Sequence, residues 1–331
     1  MKKLTSIILL LFVISELYSQ NTKTLRAVFY NVENYFDNNA DSTREYNEFT
    51  SDGNLRWTYG KFLKKRNSLY KTIAAVGEWH DIILVGLAEV ENAYVINDLI
   101  HNTPLSVLPL EYCHFESNDH RGIDAALLYN TSYFELIYSE PIMVSNPNDT
   151  SYVTRDIIYA KGLFGEDTLH VLVNHWTSRY RGLLESDPLR MIASMKLGNV
   201  VDSIFMNDLN ANLIIMGDFN DNRDDESMTH LMENRDLTNL NLVPQFNNVA
   251  GTLKYQHSWY QFDQIIVSQS IITGKSGIKS STGAVIFDPD FLLEYDEKYL
   301  GYKPFRTNIG FRYNGGFSDH LPIYLDMFHV Q

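Results

Sequence analysis

Four apolar segments of the sequence each end on polar side chains of the types that bind phosphate or metal ions. The segment before Glu89 reads Ile-Ile-Leu-Val-Gly-Leu-Ala, and the segment before Asp218 reads Leu-Ile-Ile-Met-Gly. The other two end on Asn31 and on the pair Asn174-His175. In α/β folds ligands bind outside one end of the strands, so we expect these side chains to meet on one rim. A single such residue is more often a cap or turn residue, and the agreement of four predicts a site.

The spacing and chemistry of these residues suggest a metal-assisted hydrolysis. Asp218 and Asn220 are two residues apart and would share one side of a continuing strand. A carboxylate there can position or deprotonate a water molecule, while the amide donates a hydrogen bond to phosphate. Oxygen ligands favour Mg²⁺, Mn²⁺ or Ca²⁺, and the sequence contains no Cys/His cluster with zinc spacing. We predict an Mg²⁺ site, with Mn²⁺ or Ca²⁺ as alternatives, in which Glu89 is the main ligand and Asn31 and Asp319 are the next candidates.

A further motif lies near the C-terminus, where Gly-Gly-Phe leads into Ser318-Asp319-His320 and a last apolar segment. The glycines allow unusual backbone conformations and close approach of other chain segments. The Asp-His pair places an anion beside an imidazole. By itself this tripeptide would be interpreted as an ordinary exposed turn. It becomes a candidate for a functional site because four strand ends carry polar residues of the same kinds.

Elements that could position these residues follow from the apolar pattern. Short apolar segments bounded by turn residues predict buried strands, and two stretches with helical spacing predict helices. The predicted strands are 25–31, 82–89, 124–129, 168–175, 211–218, 262–268 and 321–327, and the predicted helices are 61–79 and 187–207. Two further stretches, 36–59 and 283–317, are predicted to be long loops that form the rims of a substrate site. Strands interleaved with helices predict an α/β protein.

Taken together, the motifs resemble those of the endonuclease/exonuclease/phosphatase superfamily. This superfamily includes DNase I-like nucleases, abasic-site endonucleases, inositol-polyphosphate phosphatases and neutral sphingomyelinases. The matching segments occur in the family's order at 30–34, 88–91, 121–124, 174–179, 217–221, 262–266 and 318–320. The resemblance implies a four-layer α/β sandwich in which two central mixed β-sheets are flanked by helices. It also implies a phosphoester hydrolase that uses an activated water.

The resemblance lends roles to the metal and water positions. It implies that Glu89 is the main metal ligand and that Asn31 supports the metal and the phosphate. Asp319 resembles a second acidic residue of the metal site. Asp218 resembles the residue that orients or activates the attacking water. Which group serves as general base, and whether one or two metal ions act, differs across the family and stays open here.

The resemblance also implies roles at the phosphate. Asn220 and His175 resemble phosphate contacts, and His320 resembles the histidine that meets the scissile phosphate. Asp263 resembles the carboxylate that orients this histidine. The sequence departs from the family pattern after Asp263, where Gln264 stands in place of a common tyrosine, and before the metal-binding glutamate, where an alanine replaces a common glutamine. These departures weaken the transfer of subfamily specificity more than that of catalysis.

The substrate is less well specified by the sequence. Arg179 and Arg306 could clamp phosphate, because guanidinium binds phosphate in a bidentate manner, and Asn174 is a further substrate-binding candidate. Aromatic residues near them, such as Trp176 and Tyr302, could stack on nucleobases or contact a lipid or sugar headgroup. We predict an endonuclease or phosphodiesterase acting on nucleic acid. The alternatives are a phosphatase or sphingomyelinase-like esterase acting on inositol phosphates or lipid headgroups, and a catalytically inactive binding module. The intact acidic, amide and histidine positions argue against the last.

Composition limits the class and location of the protein. The chain has 331 residues and a formal net charge of −14, which disfavours a protein that coats nucleic acid but not a nuclease with a local positive patch. Residues 1–19 have the basic start, short apolar run and polar end of a secretory signal peptide. The single cysteine, Cys113, cannot form an internal disulfide. We predict a bacterial secreted or periplasmic protein with a signal peptide at 1–19, one domain at 25–331, no transmembrane segment in the mature chain and no stable protein partner.

Overall fold

The computed structural model describes residues 23–40, 47–146, 149 and 152–330. The predicted signal peptide lies outside the described residues. The α-helices of the described part are α1 (Tyr59–Gly77), α2 (Ala93–His101), α3 (Leu183–Asn207), α4 (Glu226–Met232) and α5 (Gln269–Thr273). Short 3₁₀ helices occupy Pro104–Val107, Arg179–Arg181 and Asp290–Leu292. None of the helices in these ranges combines the length and the apolar character needed to cross a membrane.

Strands account for most of the remaining regular structure. They are β1 (Thr24–Tyr35), β2 (Asp81–Val90), β3 (Leu110–His114), β4 (Asp124–Asn130), β5 (Phe134–Ile142), β6 (Ile157–Phe164), β7 (Asp167–His175), β8 (Asn212–Asp218), β9 (Leu237–Asn239), β10 (Asn241–Pro244), β11 (Leu253–Tyr255), β12 (Ser258–Tyr260), β13 (Asp263–Ser268), β14 (Ile278–Ser280), β15 (Gly283–Ile286), β16 (Leu293–Tyr295), β17 (Tyr302–Pro304), β18 (Asn308–Ile309), β19 (Arg312–Tyr313) and β20 (Ile323–His329). Each of the predicted strands corresponds to one of these, with ends that shift by a few residues.

The longer strands form two sheets. The first sheet has the order β10-β15-β20-β1-β2-β4-β3, and β14 also pairs with β20. The second has the order β5-β6-β7-β8-β13-β9. Each sheet is mixed: β1 runs parallel to β2 but antiparallel to β20, and β7 runs parallel to β8 while β13 runs antiparallel to it. The structure confirms the predicted mixed α/β class with two central mixed sheets.

The two sheets pack face to face, and helices cover their outer faces. A side chain at Gly86 of β2 would lie 2.7 Å from the sulfur of Met216 on β8, which shows how closely the sheets approach. Leu69 of α1 is fully buried in the cluster that contains the first sheet. Leu197 of α3 packs in a separate cluster with the outer residues of the second sheet. Strands buried on both faces explain why the central segments of the sequence are continuously apolar.

Three sequence predictions about the surrounding segments have different outcomes. The described residues of the predicted loop 36–59 contain no helix or strand, apart from Tyr59, the first residue of α1. The predicted loop 283–317 is wrong, because this stretch contains β15 of the first sheet and the antiparallel pairs β16-β17 and β18-β19. The helix predicted at 187–207 begins earlier, at Leu183, and therefore contains Pro188 in its second turn. Short strands with few residues on each face carry too little periodicity to be distinguished from loops.

Candidate active site

The polar ends of three neighbouring strands meet at one end of the second sheet. In the register of β8 and β13, Asp263 lies opposite Asp218, and in the register of β7 and β8, His175 lies beside Asp218. Met216, two residues before Asp218, packs in the cluster shared with the first sheet, so Asp218 also faces that sheet. Nδ2 of Asn31, on β1, donates a hydrogen bond of 2.9 Å to Oδ2 of Asp218. The site therefore lies between the two sheets, with residues from each.

A buried carboxylate orients the histidine of the C-terminal motif. Nδ1 of His320 lies 2.7 Å from Oδ2 of Asp263, and Nε2 of His320 lies 3.8 Å from Oδ2 of Asp218. Burial alone would lower the pKa of His320, but the negative charges of Asp263 and Asp218 outweigh it and raise the pKa well above its usual range. The imidazole is therefore held as a cation whose second nitrogen points toward the Asp218 carboxylate.

The backbone around Ser318 fixes the position of this histidine. Oγ of Ser318 donates a 2.7 Å hydrogen bond to the carbonyl of Asn31 and accepts a 3.1 Å hydrogen bond from the backbone N–H of His320. A side chain at Gly316 would lie 2.1 Å from the carbonyl oxygen of Phe305, so only glycine fits this close approach. The serine and glycine of the motif thus anchor the loop, whereas the histidine enters the site.

Burial shifts the pKa values of Asp218 and His175 in opposite directions, and in both residues it favours the neutral form. Burial raises the pKa of Asp218 to about 6, with a further contribution from the Asp263 carboxylate. Burial lowers the pKa of His175 well below its usual range, assisted by the positive charges of Arg155 and Arg121. Nε2 of His175 lies 3.9 Å from Oδ2 of Asp218. A neutral imidazole beside a carboxylate can donate one hydrogen bond to an oxygen that enters between them.

Glu89 is held by irregular backbone. Glu33, Asn34 and Glu89 have φ values of 49°, 55° and 67°, which are uncommon for residues other than glycine. They lie where the pairing of β1 with β2, and of β2 with β4, shifts register. The backbone N–H of Asn34 donates a 2.9 Å hydrogen bond to Oε2 of Glu89, and Oε1 lies 3.8 Å from Nε2 of His175. Strained backbone at two adjacent strands therefore places this carboxylate at the site.

Asp319 belongs to a group of charges beside the first sheet. Nη2 of Arg306 donates a 2.9 Å hydrogen bond to Oδ2 of Asp319, and Nε donates a 3.3 Å hydrogen bond to Oε1 of Glu33. Burial would raise the pKa of Asp319, but the positive charges of Arg306 and His320 bring it below its usual range. The side chain of Arg306 is 40% exposed and paired with two carboxylates, and its contact with phosphate stays a prediction.

The donor atoms of this region fit a divalent metal ion. Five carboxyl groups border this region, those of Glu33, Glu89, Asp218, Asp263 and Asp319. Oδ1 of Asp263 is buried with no hydrogen-bond partner among the described residues. One ligand atom from each of Asp218, Asp263 and His320 lies within 4.8 Å of the others, but an imidazole that Asp263 keeps protonated has no free nitrogen lone pair for a metal. This trio differs from the predicted ligand set of Glu89, Asn31 and Asp319, and Glu89 borders it through His175.

The structure corrects the prediction that Asn174 binds substrate. Successive residues of a strand face opposite sides of a sheet, so Asn174 faces α3 while His175 faces the site. Asn174 is 0% exposed, and its Oδ1 accepts a 3.1 Å hydrogen bond from Nε1 of Trp176.

The expectation that Asp218 and Asn220 share one side of a strand is also wrong. β8 ends at Asp218, and Asn220 has a left-handed backbone with φ of 52°. The N–H of Asn220 donates to Oδ1 of Asp218 at 2.9 Å, and its Nδ2 donates to the carbonyl of Trp176 at 3.0 Å. Asn220 thus lies at the site through a turn, and its contact with phosphate stays a prediction.

Arg179 does not have the free guanidinium that a phosphate clamp requires. Its Nε donates a 2.6 Å hydrogen bond to the carbonyl of Asn220, and Nη2 contacts the carboxylates of Asp221 and Asp225. Two negative charges therefore neutralise this cation, which corrects its predicted role. Its position indicates that it stabilises the turn that carries Asn220.

Sequence reasoning missed a buried lysine. Lys65 of α1 is 1% exposed, and its Nζ donates to Oγ1 of Thr307 at 2.6 Å and to the carbonyl of Phe317 at 2.5 Å. Burial lowers the pKa of Lys65 to about 8. A signal was present in the sequence, because Lys65 falls at helical spacing between the buried residues Phe62 and Leu69. A charged residue in an apolar helix face needs buried partners.

Comparisons with known proteins agree with this architecture. Residues 26–329 match the Endonuclease/Exonuclease/phosphatase family. No curated protein matches the sequence. Among solved structures, an endonuclease/exonuclease/phosphatase family protein from Bacteroides thetaiotaomicron has a TM-score of 0.56 at 17% identity, with 94% of this chain and 97% of that chain covered.

Two further solved structures carry more specific names. A mannosyl-6-phosphatase from Bacteroides thetaiotaomicron VPI-5482 has a TM-score of 0.55 at 17% identity, with 92% of this chain and 99% of that chain covered. D. rerio TDP2 complexed with a single-strand DNA product has a TM-score of 0.54 at 16% identity, with 92% and 98% covered. These structures share the fold with this chain. The family match over nearly the whole length, joined to the geometry above, shows that the chain belongs to the endonuclease/exonuclease/phosphatase family of phosphoester hydrolases.

Proposed function

We propose that this protein is a divalent-metal-dependent hydrolase that cleaves a phosphodiester bond of nucleic acid with an activated water. The proposal that the protein is a hydrolase rests on the arrangement of Asp263, His320 and Asp218. A histidine cation held by one carboxylate at 2.7 Å lies 3.8 Å from a second carboxylate. The histidine cation can donate a proton to a phosphoryl oxygen, and the second carboxylate can accept a proton from a water molecule.

The residues of the chain would divide the chemistry as follows. Asp218, whose orientation is fixed by Asn31, accepts a hydrogen bond from the attacking water and aligns it with phosphorus. His320 donates a hydrogen bond to a phosphoryl oxygen, on which negative charge grows in the transition state. Asp263 keeps His320 protonated and oriented. His175, neutral and buried, donates a second hydrogen bond to the same phosphoryl group.

The metal would be held by Glu89 as the main ligand, with Asn31 and Asp319 as further ligands. Mg²⁺ matches the oxygen donors best, and Mn²⁺ or Ca²⁺ are the alternatives. Bound there, a divalent cation supplies Lewis acidity and neutralises the charge of the phosphate. The carboxylates of Asp319, Glu33 and Glu89 are clustered closely enough that all three raise the pKa of Arg306, and this cluster supports the presence of such a cation.

Exposed aromatic side chains on hairpins that border the catalytic loop support nucleic acid as the substrate. Leu253 of β11 forms an isolated bridge with His320, so the β11-β12 hairpin adjoins the catalytic loop. Tyr255 on this hairpin and Tyr302 on β17 are 64% and 55% exposed. Exposed rings beside a phosphoryl site suit stacking on nucleobases. The DNA complex of the similar D. rerio structure is consistent with this use of the fold.

A phosphatase or sphingomyelinase-like esterase, acting on inositol phosphates or lipid headgroups, is the second candidate. The charge distribution favours it, because Arg179 and Arg306 are paired with carboxylates and the net charge is −14. A long polyanion would find few cations along its path, whereas a compact phosphate ester needs only one or two.

A substrate panel with matched variants tests both proposals. Purified protein with Mg²⁺ is assayed on plasmid DNA, RNA, phosphoinositides, sphingomyelin and simple phosphomonoesters, with and without a chelator. We expect cleavage of nucleic acid that the chelator abolishes and that His320→Ala and Glu89→Ala reduce strongly. Asp224→Asn, at an exposed position, serves as the control. Activity confined to monoesters or lipids would support the second candidate, and wild-type turnover in both variants would exclude the assigned site.

We also propose that the protein acts outside the cytoplasm after removal of residues 1–19. The support is the basic start and the apolar run that precede the polar residues Ser19 and Gln20. N-terminal sequencing of protein recovered from a bacterial periplasm or culture medium tests this. An intact Met1 on exported protein, or retention in the cytoplasm, would contradict the proposal.

A further inference from the structure

An arginine outside the predicted site residues lies on a loop that borders Glu89. The loop joins β3 to β4, and β4 begins at Asp124. In the register of β2 and β4, Asp124 pairs with Val90 and Ala125 with Ala88, so Glu89 lies opposite the first residues of β4. Arg121 precedes Asp124 by three residues in the chain. It therefore lies close to the C-terminal end of β2, which carries Glu89.

Hydrogen bonds that do not involve the side chain of Arg121 tie this loop to the second sheet. Oδ1 of Asp119 accepts from the backbone N–H of Arg121 at 3.0 Å, and Oδ2 accepts from Nη1 of Arg155 at 3.0 Å. Nη2 of Arg155 then donates to the carbonyl of Trp176 at 2.5 Å, which directly follows His175. The loop is thus held between the ends of β2 and β7, which carry Glu89 and His175.

The guanidinium of Arg121 remains available. Its side chain makes no hydrogen bond within the described residues, and its closest ionic contact joins Nε to Oδ1 of Asp119 at 3.9 Å. Asp119 is already paired with Arg155 at 3.0 Å, so one carboxylate faces two arginines. The side chain of Arg121 is 31% exposed. By contrast, each of Arg155, Arg179 and Arg306 donates hydrogen bonds to a carboxylate.

A guanidinium that makes no hydrogen bond and lies next to a site for anions is suited to bind phosphate. Guanidinium presents planar donors that match two oxygens of one phosphate, and such charge-assisted hydrogen bonds are among the strongest in proteins. The positive charge of Arg121 also contributes to the low pKa of His175, after burial and together with Arg155, which indicates that it acts on the interior of the site.

We propose that Arg121 binds the phosphate group of the substrate through its guanidinium, between Glu89 and His175. This inference rests on the proposed hydrolysis of a phosphoester, and it assigns to Arg121 the phosphate contact that Arg179, paired with Asp221 and Asp225, does not make. Arg121 would stabilise bound phosphate without transferring a proton, because guanidinium stays protonated at all accessible pH values.

The test compares Arg121→Gln and Arg121→Lys with the wild type. Binding of inorganic phosphate in the presence of Mg²⁺ is measured by calorimetry, and hydrolysis of bis(p-nitrophenyl) phosphate gives kcat and KM. Loss of a charged hydrogen-bond donor predicts weaker phosphate binding and a higher KM by about 10- to 100-fold in Arg121→Gln, with a smaller effect in Arg121→Lys. Lys196→Gln removes the same charge from an exposed position on α3 and should leave both quantities within about twofold.

The melting temperature separates binding from folding. Because the side chain of Arg121 makes no hydrogen bond in the described structure, we expect an unchanged Tm in Arg121→Gln. Phosphate affinity and KM equal to the wild type would overturn the inference while leaving the hydrolase proposal intact. If the wild type hydrolyses no phosphoester, the proposed function fails, and the phosphate titration still decides whether Arg121 binds phosphate.

Discussion

Nδ1 of His320 and Oδ2 of Asp263 lie 2.7 Å apart although 57 residues separate them in the chain. Asp263 opens β13 of the second sheet, and His320 precedes β20 of the first sheet. The pair therefore crosses the interface between the sheets. Because the inner faces of both sheets are tightly packed, the imidazole has little freedom to leave this carboxylate.

Replacing Asp263 by asparagine should lower the pKa of His320, because the carboxylate charge that raises it is lost. We expect kcat to fall by roughly 10²–10⁴-fold and the alkaline limb of the pH–rate profile to move to lower pH. Steady-state kinetics between pH 5 and 10 would measure both. Asp224→Asn, at an exposed position, is the control, and an alkaline limb that stays in place would show that Asp263 does not set the charge of His320.

The acid limb of the same profile should report Asp218. Its pKa is raised to about 6, so its ionised fraction increases as the pH rises through about 6. If ionised Asp218 positions the water, kcat/KM falls about tenfold per pH unit below this pKa. A bound cation stabilises nearby carboxylates in their charged form, so higher Mg²⁺ concentration should move the limb to lower pH. An acid limb that does not respond to Mg²⁺ would argue that another group produces it.

Lys65→Met should destabilise the fold. The change removes the lysine donor from Oγ1 of Thr307 and leaves the carbonyl of Phe317 with only the 3.3 Å hydrogen bond from that hydroxyl. It also removes a positive charge near the Glu33 carboxyl group. Breaking such a buried charge arrangement costs about 3–5 kcal/mol. Urea unfolding would measure this loss, and Lys71→Met, at an exposed position of α1, should change the free energy of unfolding by less than about 0.5 kcal/mol. Equal effects of the two substitutions would contradict the role of Lys65.

Divalent cations should stabilise the folded protein, because they relieve repulsion among the carboxylates of the site. A ligand that binds only the folded state contributes about 2.7 kcal/mol at one hundred times its Kd. We expect Tm to rise with Mg²⁺ concentration and to return after chelation. Glu89→Gln should require more Mg²⁺ for the same rise. A Tm that responds equally in the wild type and the variant would place the cation elsewhere.

Arg179→Gln should affect stability more than substrate affinity. The guanidinium contacts Asp221 and Asp225 and donates to the carbonyl of Asn220. Its loss leaves Asp225 without this cation, whereas Asp221 keeps its contact with Nε of Arg190 at 2.8 Å. Hydrogen bonds to charged groups contribute about 1.5–3 kcal/mol, and we expect a loss of that size in urea unfolding. KM should change less than in Arg121→Gln. A larger increase of KM in Arg179→Gln than in Arg121→Gln would indicate that Arg179, and not Arg121, binds the phosphate.

Much of the fold was predictable because its signals are local. Strands with two buried faces have continuous apolar runs, which predicted β1, β2, β4, β7, β8, β13 and β20, and the helical spacing of apolar residues predicted α1 and most of α3. The short hairpins within 283–317 were missed, because strands of two or three residues have too few side chains to show a period. Because β11 and β12 have only three residues each, the sequence predicted neither this hairpin nor its contact with His320.

By itself, the sequence determined which strand ends carry polar residues and, through their order, the family. Only the tertiary structure decided how those residues pair and which charges stay free. Asn31 and Asp218 meet across 187 residues, Arg179 is neutralised by carboxylates that follow β8, and Arg121 faces an aspartate already paired with Arg155. The physical reason is that charge compensation depends on distances of a few ångströms between segments remote in the chain, and local patterns of hydrophobicity contain no record of those distances.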